Sequence, residues 1–281
     1  MEKHHKKKII QWTVGVSVGV VVLIVLAGFW LYSGAARGAR LQALQVLRAP
    51  LGVVGSEYIT AGDLQYFSDD VSGVQTEAAA SALVHALQVK SIAAGRGLHV
   101  SSSDLQRAAT ELQAGDGQYK SFEANYGQTA AIKVLVEPYV YENYLRIDYM
   151  KQGLEPVLTQ QLRTLSAGLQ SDDDWKVAAS THSDDLASSW SGGDVGYVDL
   201  GLAIPEYAQA VQGLPLHNPA VIYTRYGAHI VEVLNRVTKD EKELTQLREI
   251  VLRPKHFDAW LTEQATAVPV KWYVQVPTSI E

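Results

Sequence analysis

Cysteine is absent from all 281 residues. This excludes disulfide scaffolds, thiol redox chemistry, cysteine nucleophiles, cysteine-ligated zinc and a lipidated cysteine after a membrane segment. Other chemistry is missing too. There is no HExxH, GxSxG, Walker loop or EF-hand loop, and the eight histidines show no ligand spacing, so neither a metal nor a cofactor is expected. Cations are outnumbered, with 24 Lys and Arg against 30 Asp and Glu and a net charge of −6. Four of the lysines lie within residues 1–8, so the rest of the chain is more acidic still and nucleic acid is not an expected partner. With 47% hydrophobic and 19% charged residues, the composition is that of one or two ordinary folded domains.

One long apolar run is present. Residues 13–32 are uncharged, and a helix of that length spans about 30 Å of hydrocarbon. Lys3, Lys6, Lys7 and Lys8 precede it and hold a 1–12 tail in the cytoplasm, while Trp12, Trp30 and Tyr32 suit the interfaces. The expectation is a single-pass cell-membrane anchor with the main body extracytoplasmic. The alternative is a cleaved signal peptide ending near Ser33-Gly34-Ala35, although the run exceeds the usual apolar core of such peptides. Gly15 and Gly19 form a GxxxG that would suit a homodimer contact.

After a 33–49 linker, the pattern predicts a strand at 51–59. Helices follow: one opened by Thr60 with Asp63 at its third position, one from about Thr76 to Gly95 or Gly97, one from Ser103 to Gly115, and one over 129–152 that Pro138 kinks or divides. Residues 50–152 thus read as an all-α domain apart from the opening strand. Beyond Pro156 come a helix at 157–169 and a capping sequence, Ser171-Asp172-Asp173-Asp174, for another. The three consecutive carboxylates point in different directions and read as a cap rather than a metal site. A Gly-rich turn, a strand at 195–198, a helix at 205–212 and a strand at 227–234 make residues 153–253 α+β. Residues 254–281 close the chain with a helix at 257–264 and a strand at 268–274.

The order of several unusual residues in this second part is informative: Ser183, Asp184 and Asp185; Gly192, Gly193, Asp194 and Gly196; Pro205, Glu206 and Tyr207; Thr224, Gly227 and His229. This series resembles the parvulin (PpiC-type) peptidyl-prolyl isomerases, an FKBP-like α+β fold. Its pattern runs Ser-Asp-(Cys/Asp), Gly-Gly-Asp-Leu-Gly, Pro-Glu-Phe, Thr-x-x-Gly-x-His-Ile. Residues 50–67 similarly resemble the opening of the N-terminal helical domain of the SurA and PrsA foldases. The resemblance implies a rotamase and chaperone that acts on unfolded or newly exported polypeptides and proline-containing peptides. It implies Tyr207 and Ala203 in the proline pocket, Thr224 and His229 as its polar floor, Asp185 near the reacting carbonyl, and Ser183 among the substrate-binding positions. From local sequence alone, His229 reads sooner as a hydrogen-bonded core histidine than as a site residue.

One departure from the family pattern stands out. The family opens with an Arg-His-Ile-Leu strand that supplies another histidine, whereas residues 145–150 belong to a helical run here. Residues 247–252, Leu-Arg-Glu-Ile-Val-Leu, have the character of the missing strand and could return beside 227–234 as an antiparallel neighbour. On that reading the domain is circularly permuted and Glu249 takes the histidine's place; the alternative is a helix start at 247–253. Two functions follow: a weak isomerase, or a noncatalytic chaperone or scaffold whose parvulin-like domain only binds peptides.

Overall fold

The computed structural model describes residues 25–33, 43–44, 46–47, 49–66, 76–115 and 117–274. Most of the expected membrane span lies outside the described residues. Its last part, residues 25–32, is helical, and among the described residues no helix is long and apolar enough to cross a membrane. The chain forms two compact units. The first takes residues up to Arg96, Ser101–Pro138 and those from Ala265; the second takes Gly97–Val100 and Tyr139–Gln264. The division falls within the helical run rather than at 152, and the closing segment is shared between the units rather than standing alone.

The first unit is not all-α. The expected strand at 51–59 is a hairpin, β1 (Pro50–Val54) and β2 (Glu57–Thr60), because Gly55 adopts φ +55° and turns the chain between paired Val54 and Glu57. A strand from far along the sequence, β7 (Val270–Trp272), pairs antiparallel on the other edge of β1. Leu51, Val54 and Ile59 point into a core with Leu31, Leu44, Leu83 and Val274. Each such fully buried aliphatic side chain contributes about 1.5–3 kcal/mol.

Helices follow the hairpin. Thr60 and Asp63 cap α1 (Ala61–Tyr66) reciprocally: the Asp63 carboxylate accepts from the Thr60 N–H at 2.8 Å, and the Thr60 hydroxyl accepts from the Asp63 N–H at 3.3 Å. Ser101 and Asp104 do the same beyond α2 (Thr76–Gly95), opening α3 (Ser102–Gly115). The polar helix α4 (Gly117–Tyr126) was not expected from the sequence. The long run expected at 129–152 is α5 (Gln128–Ala131), a π-helical stretch at Ile132–Val136, and α6 (Glu137–Lys151). The π stretch falls just before Pro138, which has no N–H for the regular bond to the fourth residue back.

In the second unit, α7 (Pro156–Gly168) leads to α8 (Asp172–His182), where Ser171 and Asp174 form the expected capping box. The sheet then forms from β3 (Asp194–Asp199), β4 (Ala220–Thr224), β5 (Gly227–Lys239) and β6 (Lys242–Leu252), with α9 (Pro205–Gln212) between β3 and β4. Strand order is β3-β6-β5-β4, antiparallel throughout. Residues 247–252 are therefore strand, and β6 reaches its central place by a hairpin. Asp240 and Glu241, both at positive φ (52° and 62°), make the two-residue turn that matches strand twist. Alternation along the strands sorts the two faces. Val231, Val233, Leu247 and Ile222 pack under α9, while Arg248 on the opposite face lies 4.5 Å from the Trp175 ring of α8. The helix α10 (Phe257–Ala267) closes the unit, with Phe257 and Trp260 against the buried Tyr149 ring.

Candidate functional site

The register of the sheet assembles the site. His229 stands opposite Val251 and Glu249 opposite Val231, so His229 and Glu249 are diagonal neighbours on the α9 face of the β5–β6 pair. Across the β4–β5 pair, His229 stands opposite Ile222 and Thr224 opposite Gly227, which makes Thr224 the diagonal neighbour on the other side. Diagonal positions lie about 7–8 Å apart, within reach of long side chains.

The side chains use that reach. His229 Nδ1 lies 3.0 Å from Glu249 Oε2, and His229 Nε2 lies 2.8 Å from Thr224 Oγ1. From α9 above, the Tyr207 hydroxyl donates to the same Glu249 Oε2 at 3.0 Å, and its ring meets the imidazole edge-on at 5.4 Å. Thr224 is fully buried and His229 nearly so. The Tyr207 phenol is held well above its ordinary value of 10.0, chiefly by burial, then by the Glu249 charge and hydrogen bond, then by the charge of Asp185.

Asp185 does not join this network. Its carboxylate accepts from the Ala187 and Ser188 N–H groups, each at 3.2 Å, and from the Ser188 hydroxyl. Burial would raise its pKa, but these bonds and the nearby Arg253 charge outweigh burial and hold it below its ordinary 3.8. Ser183 straps the same loop to β6: its hydroxyl accepts from the Val251 N–H at 3.1 Å, and the Asp184 N–H donates to the Val251 carbonyl at 2.7 Å. Ala203 sits half-buried just before α9, following the exposed Leu202. The structure thus brings together Tyr207, Thr224, His229 and Glu249, puts Asp185 and Ser183 in the loop bound to β6, and leaves Ala203 at the approach to α9.

Sequence reasoning missed one brace. Arg225, next to Thr224, forks onto Glu206, next to Tyr207, through Nε at 2.8 Å and Nη2 at 3.3 Å, and donates to the Tyr139 hydroxyl at 3.0 Å. The β4–β5 turn is thereby tied to the start of α9. Burial would raise the Glu206 pKa, but the Arg225 hydrogen bond and charge prevail and lower it. Both residues flank motif positions, but nothing in their spacing announces a partner. Among the described residues, no group of three acidic or histidine side chains is arranged to hold a metal.

Residues 147–237 match the family model of the PPIC-type PPIASE domain. The second unit therefore carries a parvulin-like α+β domain, and the match ends before β6 and Glu249. The chain is similar to the chaperone SurA of Legionella pneumophila (strain Lens), 29% identical over 157 residues that cover 54% of this chain and 36% of that protein. It is also similar to SurA of Nitrosococcus oceani, 38% identical over 93 residues, covering 33% of this chain and 21% of the relative. The chain thus spans well under half the length of these relatives. A solved PrsA foldase from Lactococcus lactis aligns over 78% of this chain and 84% of its own at 10% identity, with a TM-score of 0.28.

Proposed function

We propose that the chain is a membrane-anchored, extracytoplasmic foldase of the SurA/PrsA type, with weak peptidyl-prolyl cis-trans isomerase activity. The observation that carries the reading is the set of Tyr207, Glu249, His229 and Thr224, bonded in series between α9 and one face of the sheet, three of them inside the PPIC-type match and Glu249 on the strand just beyond it. Turning a prolyl bond breaks no covalent bond and needs no cofactor. The uncatalysed barrier is about 18–20 kcal/mol, set by amide resonance. A catalyst need only seat the proline ring, strip water from the amide and favour its twisted form. In the proposed roles, the Tyr207 ring and Ala203 seat the proline, His229 with Thr224 and Glu249 shapes the wall behind it, and Asp185 and Ser183 order the loop alongside.

The domain is read as circularly permuted: β6, last of its strands in chain order, does the work of the strand with which the family pattern begins. The first unit is read as the client-binding part, and unfolded or newly exported polypeptides as its partners, by likeness to SurA. Anchoring rests on the lysines before the 13–32 run and on the exposed Val25, Leu26 and Phe29 of helix 25–32.

A protease-coupled assay of prolyl isomerisation with the full chain in detergent tests the central claim. Turnover above the spontaneous rate that drops on His229→Gln is expected. No acceleration for any residue before proline would leave the second reading, a peptide-binding scaffold. That reading is favoured by the absent family histidine. A reporter fused after Glu281 should be active only outside the cytoplasm; activity inside would remove the anchored topology.

A further inference from the structure

The hydrogen bonds of the site have a direction, which a backbone group reveals at one end and a carboxylate holds at the other. The Tyr226 N–H can only donate, and it donates to Thr224 Oγ1 at 3.1 Å. Among the described residues, the one other partner of that hydroxyl is His229 Nε2 at 2.8 Å. Thr224 is fully buried, so a hydroxyl proton aimed anywhere else would go unmatched, at a cost of about 1–3 kcal/mol. The proton therefore lies toward Nε2, and Nε2 is bare. A neutral imidazole with Nε2 bare carries its proton on Nδ1, which faces Glu249 Oε2 at 3.0 Å. Glu249 then accepts twice at one oxygen, from Nδ1–H and from the Tyr207 hydroxyl at 3.0 Å.

A carboxylate can do this; an imidazole nitrogen, with one lone pair, cannot. The residue at 249 and the hydroxyl at 207 are thus matched to each other. Where the family pattern has Pro-Glu-Phe and another histidine, this chain has Pro-Glu-Tyr and a glutamate. We propose that Glu249 is a positioning residue that holds His229 as the neutral Nδ1–H tautomer and pins the Tyr207 ring edge-on against it. The proposal rests on the reading of this face as the peptide pocket and deepens it. The side-chain donors of Tyr207, His229 and Thr224 are all spent within the set, so the pocket meets a bound prolyl peptide with a fixed wall of rings rather than with a spare donor.

The test is the tautomer itself. The full chain is labelled with 15N-histidine, and two-bond 1H–15N correlations are recorded at neutral pH, with the His229 signals identified by their loss in His229→Gln. The expected wild-type pattern is Nδ1–H with Nε2 unprotonated. Glu249→Leu leaves the Nδ1 proton without its acceptor, at a cost comparable to that of an unmatched Thr224 proton, and should lose the exclusive pattern and admit Nε2–H. A wild-type spectrum showing Nε2–H or a doubly protonated ring overturns the proposal. So does an unchanged Nδ1–H pattern in Glu249→Leu, because Thr224 alone would then set the tautomer. Should the leucine variant not fold, Thr224→Val serves: retention of the Nδ1 proton supports Glu249 as its holder, and a switch to Nε2–H refutes it. None of these readouts needs turnover, so loss of the isomerase reading and loss of this proposal are told apart.

Discussion

Gly193 and Glu249 are joined through their main chains: the Glu249 N–H donates to the Gly193 carbonyl at 2.8 Å, and a Cβ on Gly193 would strike the Glu249 carbonyl oxygen. Gly193 also holds φ +82°, which disfavours any side chain. The second glycine of the Gly-Gly pair is therefore what lets the loop after α8 press against the strand that carries the acceptor for His229. Gly193→Ala should cost about 2–4 kcal/mol, combining the φ penalty with the clash. It should also weaken prolyl-peptide binding. A denaturation midpoint within error of wild type would place the loop elsewhere.

At Tyr207, ring and hydroxyl can be separated. Tyr207→Phe keeps the wall and gives up one hydrogen bond, about 1 kcal/mol, and should retain peptide binding. Tyr207→Ala removes the wall and should abolish binding to a fluorescent prolyl peptide while the domain stays folded by circular dichroism. Equal binding by both variants would remove Tyr207 from the pocket.

Acid should loosen the brace between Glu206 and Arg225. The folded pKa of Glu206 is lowered below its ordinary 4.5, so the pair contributes stability above about that pH and loses it as pH falls through the lower folded value. Glu206→Gln should therefore narrow the stability difference between neutral and acid pH relative to wild type. Chemical denaturation at a series of pH values reads this directly; parallel profiles for the two proteins would contradict it.

Glu155 is buried, and its carboxylate accepts from the N–H groups of Lys255 and His256 at the head of α10, at 3.1 and 3.3 Å. It acts as a cap supplied from a distant part of the chain. Glu155→Ala should cost about 1–2 kcal/mol and lower the thermal midpoint. No shift would mean that water serves α10 equally well.

Much of this architecture is legible where the signal is local. Thr60 with Asp63 and Ser171 with Asp174 announce helix starts because a capping box is complete within four residues. The hairpin at β1 and β2 has a signal that is easy to pass over: Gly55-Ser56 is a two-residue turn between strand-like runs, hidden when 51–59 is read as one continuous strand. The helix α4 hides because a polar segment without an apolar stripe gives no periodic signal. In the site, Glu249 could be found from the strand character of 247–252 and the likelihood of a return beside β5. Asp185 could not be placed, because its bonds to Ala187 and Ser188 depend on a turn that only the folded loop defines. Arg225 and Glu206 stayed invisible for a similar reason: the register of β4 with β5 and the seat of α9 bring them together.

The pairing of β7 with β1 carries a consequence for how the chain is made. On the ribosome, Gly52 is synthesised early and its partner Trp272 only after every residue of the second unit. One edge of β1 therefore stays open while the parvulin-like unit, whose own strands are close in sequence, can already close around its core. The unit that begins first finishes last, and until it does, its exposed strand edge is the part of the nascent chain most in need of protection.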